Sequence, residues 1–349
     1  MTPLLFDPPA APSGAWPPDR PIEHAYIEAI AQAGVGAMVS NVRTEWRALR
    51  AGDRLFPVTI NHGEHGDSYV CLPHSAYVLY GLREIELVGM PGTARLLSPA
   101  IRLLGGLLRW AGINRIVHVD NWLLSTNLHG DWDGEHLREI RELLCERYPG
   151  HIVAIRSVDP WSSPGLSRAV RDDGWTMVPS RQIWVTDDLE RDWLPRHDRR
   201  NDQTLDSITP ADAARIAELY RQLYVGKYSA LNPVFTPAFV TMTHAAGMIR
   251  YRIARDADGD IVAVAGLFQR GDVVTPPVVG YDTSRPWREG LYRIASLMFA
   301  EDTLARGARL NGSAGAAPLQ RLGGGAGGVE YWAMYTAPLR AAQRDGGSP

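Results

Sequence analysis

Two adjacent prolines, Pro276 and Pro277, sit inside "VVTPPVVGYD", a run that otherwise has the valine-rich composition of a strand. Neither can donate to a ladder, so a sheet that takes in this segment must break or bulge there. Two strand candidates precede it at short intervals: "MIRYRIAR", a turn at "DADGD", then "IVAVAGLFQ" and a turn at "RGD". The pattern predicts an antiparallel meander whose last strand splays.

The surrounding order is regular. "TPADAARIAELYRQLYVGK" opens with Thr209 as N-cap and sets Ala213, Ile216, Leu219, Tyr220 and Leu223 on one helical face. "TPAFVTMTHAAG" repeats the Thr-Pro start. After the meander come a helix from Arg288 to Gly307, the strand "ARLNG", a short turn and the strand "VEYWAMYT". The first half reads as mixed α and β. It has a helix from Pro21, a hairpin made by "RLFPVTI" and "SYVCL", a helix near residues 75–86 and a Leu-rich helix near 93–111. Then follow the strand "RIVHVD", a helix capped by Asp133, the strand "HIVAIRSV", a short helix and the strand "WTMVPSRQIWVT". Residues 1–20 read as a loose arm, 21–186 as a first domain, 187–207 as a charged linker, 208–341 as a second domain and 342–349 as a tail.

Composition narrows the function classes. A net charge of −3 gives no overall basic field for duplex DNA or an anionic membrane. The longest apolar run, "SPAIRLLGGLLRWAGI", is broken by Arg102 and Arg109 and falls short of the ~20 residues that span a bilayer. It reads as a buried helix. Two distant cysteines and no charged-then-apolar leader point to a reducing cytoplasm. Oligomeric state is not legible.

The order of two helices, a three-strand meander with a splay, a helix, a strand, a short helix and a last strand resembles the GNAT acyltransferase core. The tail "LNGSAGAAPLQRLGGGAGGVEYWAMY" resembles that of the FemAB-like branch, in which two such domains sit in tandem. The resemblance implies an α/β fold (an α+β mixed sheet) of two tandem GNAT-like domains, each with a mostly antiparallel sheet, a splayed strand pair and flanking helices. It implies an N-acyltransferase that forms an amide on a small-molecule amine by direct transfer. The donor would be an acyl-CoA, an acyl carrier protein or an aminoacyl-tRNA, with no tightly bound cofactor. The acyl-CoA loop of GNAT enzymes is not cleanly present, since "TSRPWREGLYR" has the single Gly290.

Direct acyl transfer needs a proton acceptor, donors for the carbonyl oxygen and a slot that aligns the reactants. Asp282, Tyr281 and Glu330 are the candidate catalytic residues, with Asp282 also a candidate cap. Arg285, Arg288, Gly290 and Val279 are candidates for the donor, because a helix N-terminus and arginine forks favour a phosphate. Lys227, the sole lysine, with Tyr228, Tyr331, Arg321 and Asn121, are candidates for the acceptor. His62, His65, Cys71 and His74 have zinc-like spacing, but a hairpin would spread them. Two other readings stand beside the transferase: a non-catalytic scaffold that kept the fold, and a zinc-dependent hydrolase.

Overall fold

The computed structural model describes residues 2–87, 91–187, 189, 202–314 and 325–336. Residues 4–6 are paired rather than loose: β1 (Leu4–Phe6) lies antiparallel to β2 (Glu45–Ala51), and Phe6 and Ala15 are buried. Between them run α1 (Pro21–Ala33) and α2 (Val35–Met38). β3 (Arg54–His62) pairs with β2 across Gly52 and Asp53, so the hairpin partner lies before "RLFPVTI" and not after it. "SYVCL" is a turn whose Val70, Cys71 and Leu72 are buried. Its apolar character reflects burial under the helices, not sheet pairing.

A π-helical turn (Ser75–Leu79) leads into α3 (Tyr80–Leu87), then α4 (Pro91–Trp110) and β4 (Arg115–Val119). α4 is not the buried helix its leucines suggest. Leu97, Leu103, Leu104, Leu107 and Trp110 are all exposed. α5 (Leu137–Arg147), β5 (Ile152–Val158), α6 (Pro164–Asp172) and β6 (Thr176–Thr186) complete the first half. α5 starts at Leu137 with His136 in the N-cap position, while Asp133 instead accepts from the Glu135 amide one turn earlier.

The second half repeats the order. It runs through β7 (Asp202–Thr204), α7 (Pro210–Tyr220), a π-helical turn (Arg221–Tyr228), α8 (Pro237–Ala245), β8 (Ile249–Arg255), β9 (Ile261–Arg270) and β10 (Val273–Tyr281). Then come α9 (Leu291–Ala305), β11 (Arg309–Asn311) and β12 (Ala326–Tyr335). Thr209 and Asp212 form a full capping box, and Thr236 caps α8 through the Phe239 amide. Most of the charged stretch, residues 190–201, lies outside the described residues.

The twelve strands among the described residues form one sheet in the order β1-β2-β3-β4-β5-β12-β6-β11-β10-β9-β8-β7. Two parallel contacts divide it, β4 with β5 and β10 with β11, and the remaining pairs are antiparallel. The halves exchange strands at the centre: β12 inserts between β5 and β6, and β6 pairs with β11. The meander bulges between Thr275 and Val278, where Pro276 and Pro277 interrupt the β9 ladder. Gly280, just beyond, lets the end of α7 cross the sheet closely. A Cβ there would sit 2.6 Å from Leu219 C and Tyr220 N, so only glycine fits. Among the described residues no helix is long and apolar enough to cross a membrane.

Candidate active site

The β10–β11 ladder stops at Val274 and Leu310, and beyond it the strands part. The gap opens into a cavity of two lobes. The first, about 290 Å³, is lined by Tyr69, Tyr224, Tyr228, Thr275, Val279 and Tyr292 among others. The second, about 580 Å³, reaches into the first half past Tyr77, Glu84, Arg156, Glu330 and Trp332. Tyr69, Tyr80, Ser125, Arg181 and Ala314 line both.

Each wall has a local cause. The π-helical turn after α7 brings Tyr224 and Tyr228 to the gap, with Tyr224 stacked on Tyr220 at 4.9 Å. Tyr69 donates to Ser125 Oγ at 2.8 Å and packs edge-on against Tyr80. Burial, with Tyr69 nearby, pushes the Tyr80 phenol up to about 12. At neutral pH it keeps its proton and acts as a donor. At the bulge, Thr275 is buried in the cavity wall and its hydroxyl has no hydrogen-bond partner among the described residues. A buried hydroxyl without a partner costs free energy, so a site that retains one invites a ligand explanation.

Two arginines, on the strands that flank β12, reach the second lobe. Arg156 on β5 is buried, held by Asn121 Oδ1 at 3.0 Å and by the Leu124 and Ser125 carbonyls, and its guanidinium lies over Trp332. Arg181 on β6 donates through Nη2 to Ser125 O and Thr126 Oγ1, both at 2.6 Å, and to Glu330 at 3.2 Å. Burial alone would lower the Arg181 guanidinium, but Glu330 together with Tyr69 and Tyr80 more than offsets it. Arg156 and Arg181 share this lobe with Glu84 and Glu330, so its two cations stand beside two carboxylates and serve as local anchors for an anionic group without making the lobe net positive.

The corresponding gap in the first half is filled. β4 and β5 run side by side to Val119 and Ile155. The chain then folds into the opening, with Trp122, Leu123 and Leu124 buried. The Asn127 amide donates to Ser157 Oγ at 2.9 Å, and His129 Nε2 lies 2.8 Å from the Arg156 carbonyl. One gap is open and its counterpart is plugged.

The repeated order of helix pair, meander, parallel gap and closing strands, present once in each half, decides the fold. This is the order expected of a tandem GNAT-like fold. Among solved structures, this GNAT-like chain is similar to L-PGS from Bacillus licheniformis, with TM-score 0.45 and 11% identity over 67% of this chain and 83% of that one. It is similar to FemX, with TM-score 0.43 and 8% identity over 60% and 78%. It is also similar to a GCN5-related N-acetyltransferase from Kribbella flavida, with TM-score 0.35 and 15% identity over 63% and 81%. These likenesses are distant, and the strand order itself carries the assignment. No protein-family model and no curated protein matches the sequence.

The GNAT-like gap gathers only some of the residues singled out from sequence. Val279, Tyr228 and Glu330 line the cavity. Tyr281 stands behind Tyr292, ring centres 6.0 Å apart. Asn121 stays out of the wall and instead positions Arg156 while its amide donates to Thr59 and Val70. β12 offers Glu330 and Trp332 to the cavity, not Tyr331. Asp282 accepts from the Ser284 amide at 3.0 Å and from Arg215 at 2.7 Å. Burial would raise its carboxyl, but Ser284 and Arg215 hold it below the usual range, as in a turn cap. Arg285 is paired with Asp256 and Glu289. Arg288 is exposed beside Gly290, whose φ of 69° starts α9. Lys227 is exposed, its Nζ 5.8 Å from the Tyr228 ring centre. Arg321 lies outside the described residues.

Of the zinc-spaced residues only His65 and His74 meet, edge to face with ring centres 5.8 Å apart. His62 meets His151 and Glu45, and His65 meets Asn114. Cys71 is buried with its thiol pushed up to about 12 by burial. Among the described residues no three His, Cys, Asp or Glu side chains are grouped to hold a metal ion. Sequence reading missed Thr275, Arg156 and Arg181. Thr275 was signalled only by its place before the two prolines, and the arginines only by polar residues inside otherwise apolar strands.

Proposed function

We propose that this chain is an N-acyltransferase that works in the β10–β11 gap. It would pass an acyl or aminoacyl group from an acyl-CoA, an acyl carrier protein or an aminoacyl-tRNA directly to the amine of a small molecule. The amine nitrogen attacks the carbonyl carbon, a C–N bond forms and the C–S or C–O bond to the carrier breaks. The amine proton ends on the departing sulfur or oxygen.

The observation that carries the reading is the contrast between the two gaps. Among the described residues the open one alone pairs a splayed strand edge with a cavity large enough for two reactants, and at its bulge stands Thr275, whose hydroxyl has no partner among them. That hydroxyl is the donor for the carbonyl oxygen as it becomes an oxyanion. The tyrosines form a slot that excludes water from the reacting carbonyl. Arg181, fixed by Glu330, anchors an anionic group of the acceptor in the second lobe. Arg288 and Arg293, which hold no ion pair among the described residues, stand at the start of α9, where a donor phosphate would meet the helix amides.

The test is a thermal-shift panel on the purified chain with CoA, acetyl-CoA, longer acyl-CoAs and stable aminoacyl-adenosine analogues. A donor at a hundred times its Kd adds about 2.7 kcal/mol to stability, and the same donor should then yield amide with an amine panel. Binding without transfer to any amine would favour the non-catalytic scaffold. No shift with any probe would remove the free-CoA and aminoacyl-end readings together.

A further inference from the structure

We infer that α4 is a docking helix for an anionic lipid surface. Over residues 97–110, where its side chains are described, the helix is buried along one narrow strip. Gly105 is its buried residue, so close to Val78 that a Cβ would lie 2.7 Å from Val78 Cγ1, while Ile101 and Leu108 beside it are half-buried. At 3.6 residues per turn, Leu103, Leu107 and Trp110 fall on the side opposite Gly105. They form an outward ridge, with Leu103 69% and Trp110 86% exposed. Leu97 and Leu104 are exposed on one shoulder of the ridge, and Arg102 and Arg109 on the other.

Three features select a bilayer as the occupant. The first is charge: α4 contains no acidic residue, and Arg102 and Arg109 have no ion pair among the described residues. The chain's net charge of −3 is therefore reversed locally along this ridge. The second is the side-chain set. Leucines with a terminal tryptophan, flanked by arginines that can snorkel to headgroups, are the residues of a helix lying in the plane of a membrane interface. The third is the shallow seat of the helix, which leaves a contiguous apolar surface where a monomeric soluble protein seldom carries one. Because α3, which packs beside α4, lines the second lobe through Tyr80 and Glu84, docking would bring that wall of the cavity close to the lipid.

Co-flotation of the full chain with vesicles tests this independently of any transferase activity. The chain should float with mixed phosphatidylglycerol and phosphatidylcholine vesicles and much less with phosphatidylcholine alone, with binding weakened by salt. Arg102→Gln with Arg109→Gln should lower partition about thirtyfold. Leu103→Ser, Leu107→Ser and Trp110→Ser together should abolish it with an unchanged urea midpoint, since all three side chains face solvent. A chain that floats with neither vesicle, or a triple variant that floats like the wild type, overturns the proposal. So does light scattering that shows a dimer dissolved by the triple variant without vesicle binding, which would assign the ridge to a second copy of the chain.

Discussion

Thr275→Val is expected to lower kcat by about 10²–10³-fold while KM hardly moves, because an oxyanion donor acts in the transition state and not in ground-state binding. Valine keeps the branched shape and removes only the hydroxyl. That hydroxyl is buried and has no partner among the described residues. Its loss should therefore leave stability equal or slightly raised, since a buried polar atom without a partner is a cost to the fold. The two readouts must move apart: a protein at least as stable and nearly inactive. Steady-state kinetics and a urea curve on the same preparation check both. A stable variant with full turnover would show that Thr275 is a leftover of the bulge and not part of the chemistry.

Asp120→Asn is expected to cost about 3–5 kcal/mol, the scale for removing one partner of a buried ionic cluster. Asp120 is fully buried after β4. It accepts from Trp122 Nε1 at 2.7 Å and Arg270 Nη1 at 3.3 Å, and lies 2.7 Å from His129 Nδ1. Arg270 comes from β9, lies over the Trp122 ring and also pairs with Glu23, so the cluster ties the two halves together. Asparagine keeps the size and tolerates the φ of 56° found there, which isolates the charge. The same group sets a pH dependence. Burial would raise its carboxyl, but Arg270 and His129 hold it below the usual range. A lowered folded value means its contribution is complete above the unfolded carboxylate value of about 3.9 and is lost as pH falls through the folded value. Urea unfolding of the wild type should weaken below pH ~4, and the variant, already lacking the contribution, should show a flatter curve there. Equal acid sensitivity in the two proteins would locate the effect in other carboxylates.

Much of the second half could be read before the structure because its signals are local. Thr209-Pro210 and Thr236-Pro237 start helices by capping, and Pro276-Pro277 breaks a ladder wherever it lies. What was illegible is non-local. Nothing in "VEYWAMYT" says that β12 will cross to lie between β5 and β6, because strand partners are chosen by the whole sheet. β2 went unnoticed because "EWRALRA" carries two arginines, and the apolar turn at Val70 to Leu72 took its place in the hairpin. Burial of charge is equally hidden. Arg156 and Arg181 would be solvent-facing residues on most strands, and here Asn121, Trp332, Glu330, Thr126 and the Leu124 and Ser125 carbonyls make their position tolerable. Ion pairing is hidden in the same way: Asp282 and Arg285 have ionic partners in Arg215 and Asp256 that sequence does not reveal. The leucines of α4 show the limit of periodicity, which identifies an apolar face but not whether anything in the same chain covers it.

The central claim is that transfer takes place in the β10–β11 gap, and plugging that gap tests it most directly. Ala314 is exposed and lines both lobes of the cavity, so Ala314→Trp would fill their junction with little demand on the core. With a donor and amine that the wild type joins, the variant should have an unchanged urea midpoint and amide formation reduced at least a hundredfold. Amide formation at the wild-type rate in that folded variant would place the reaction elsewhere and contradict the account.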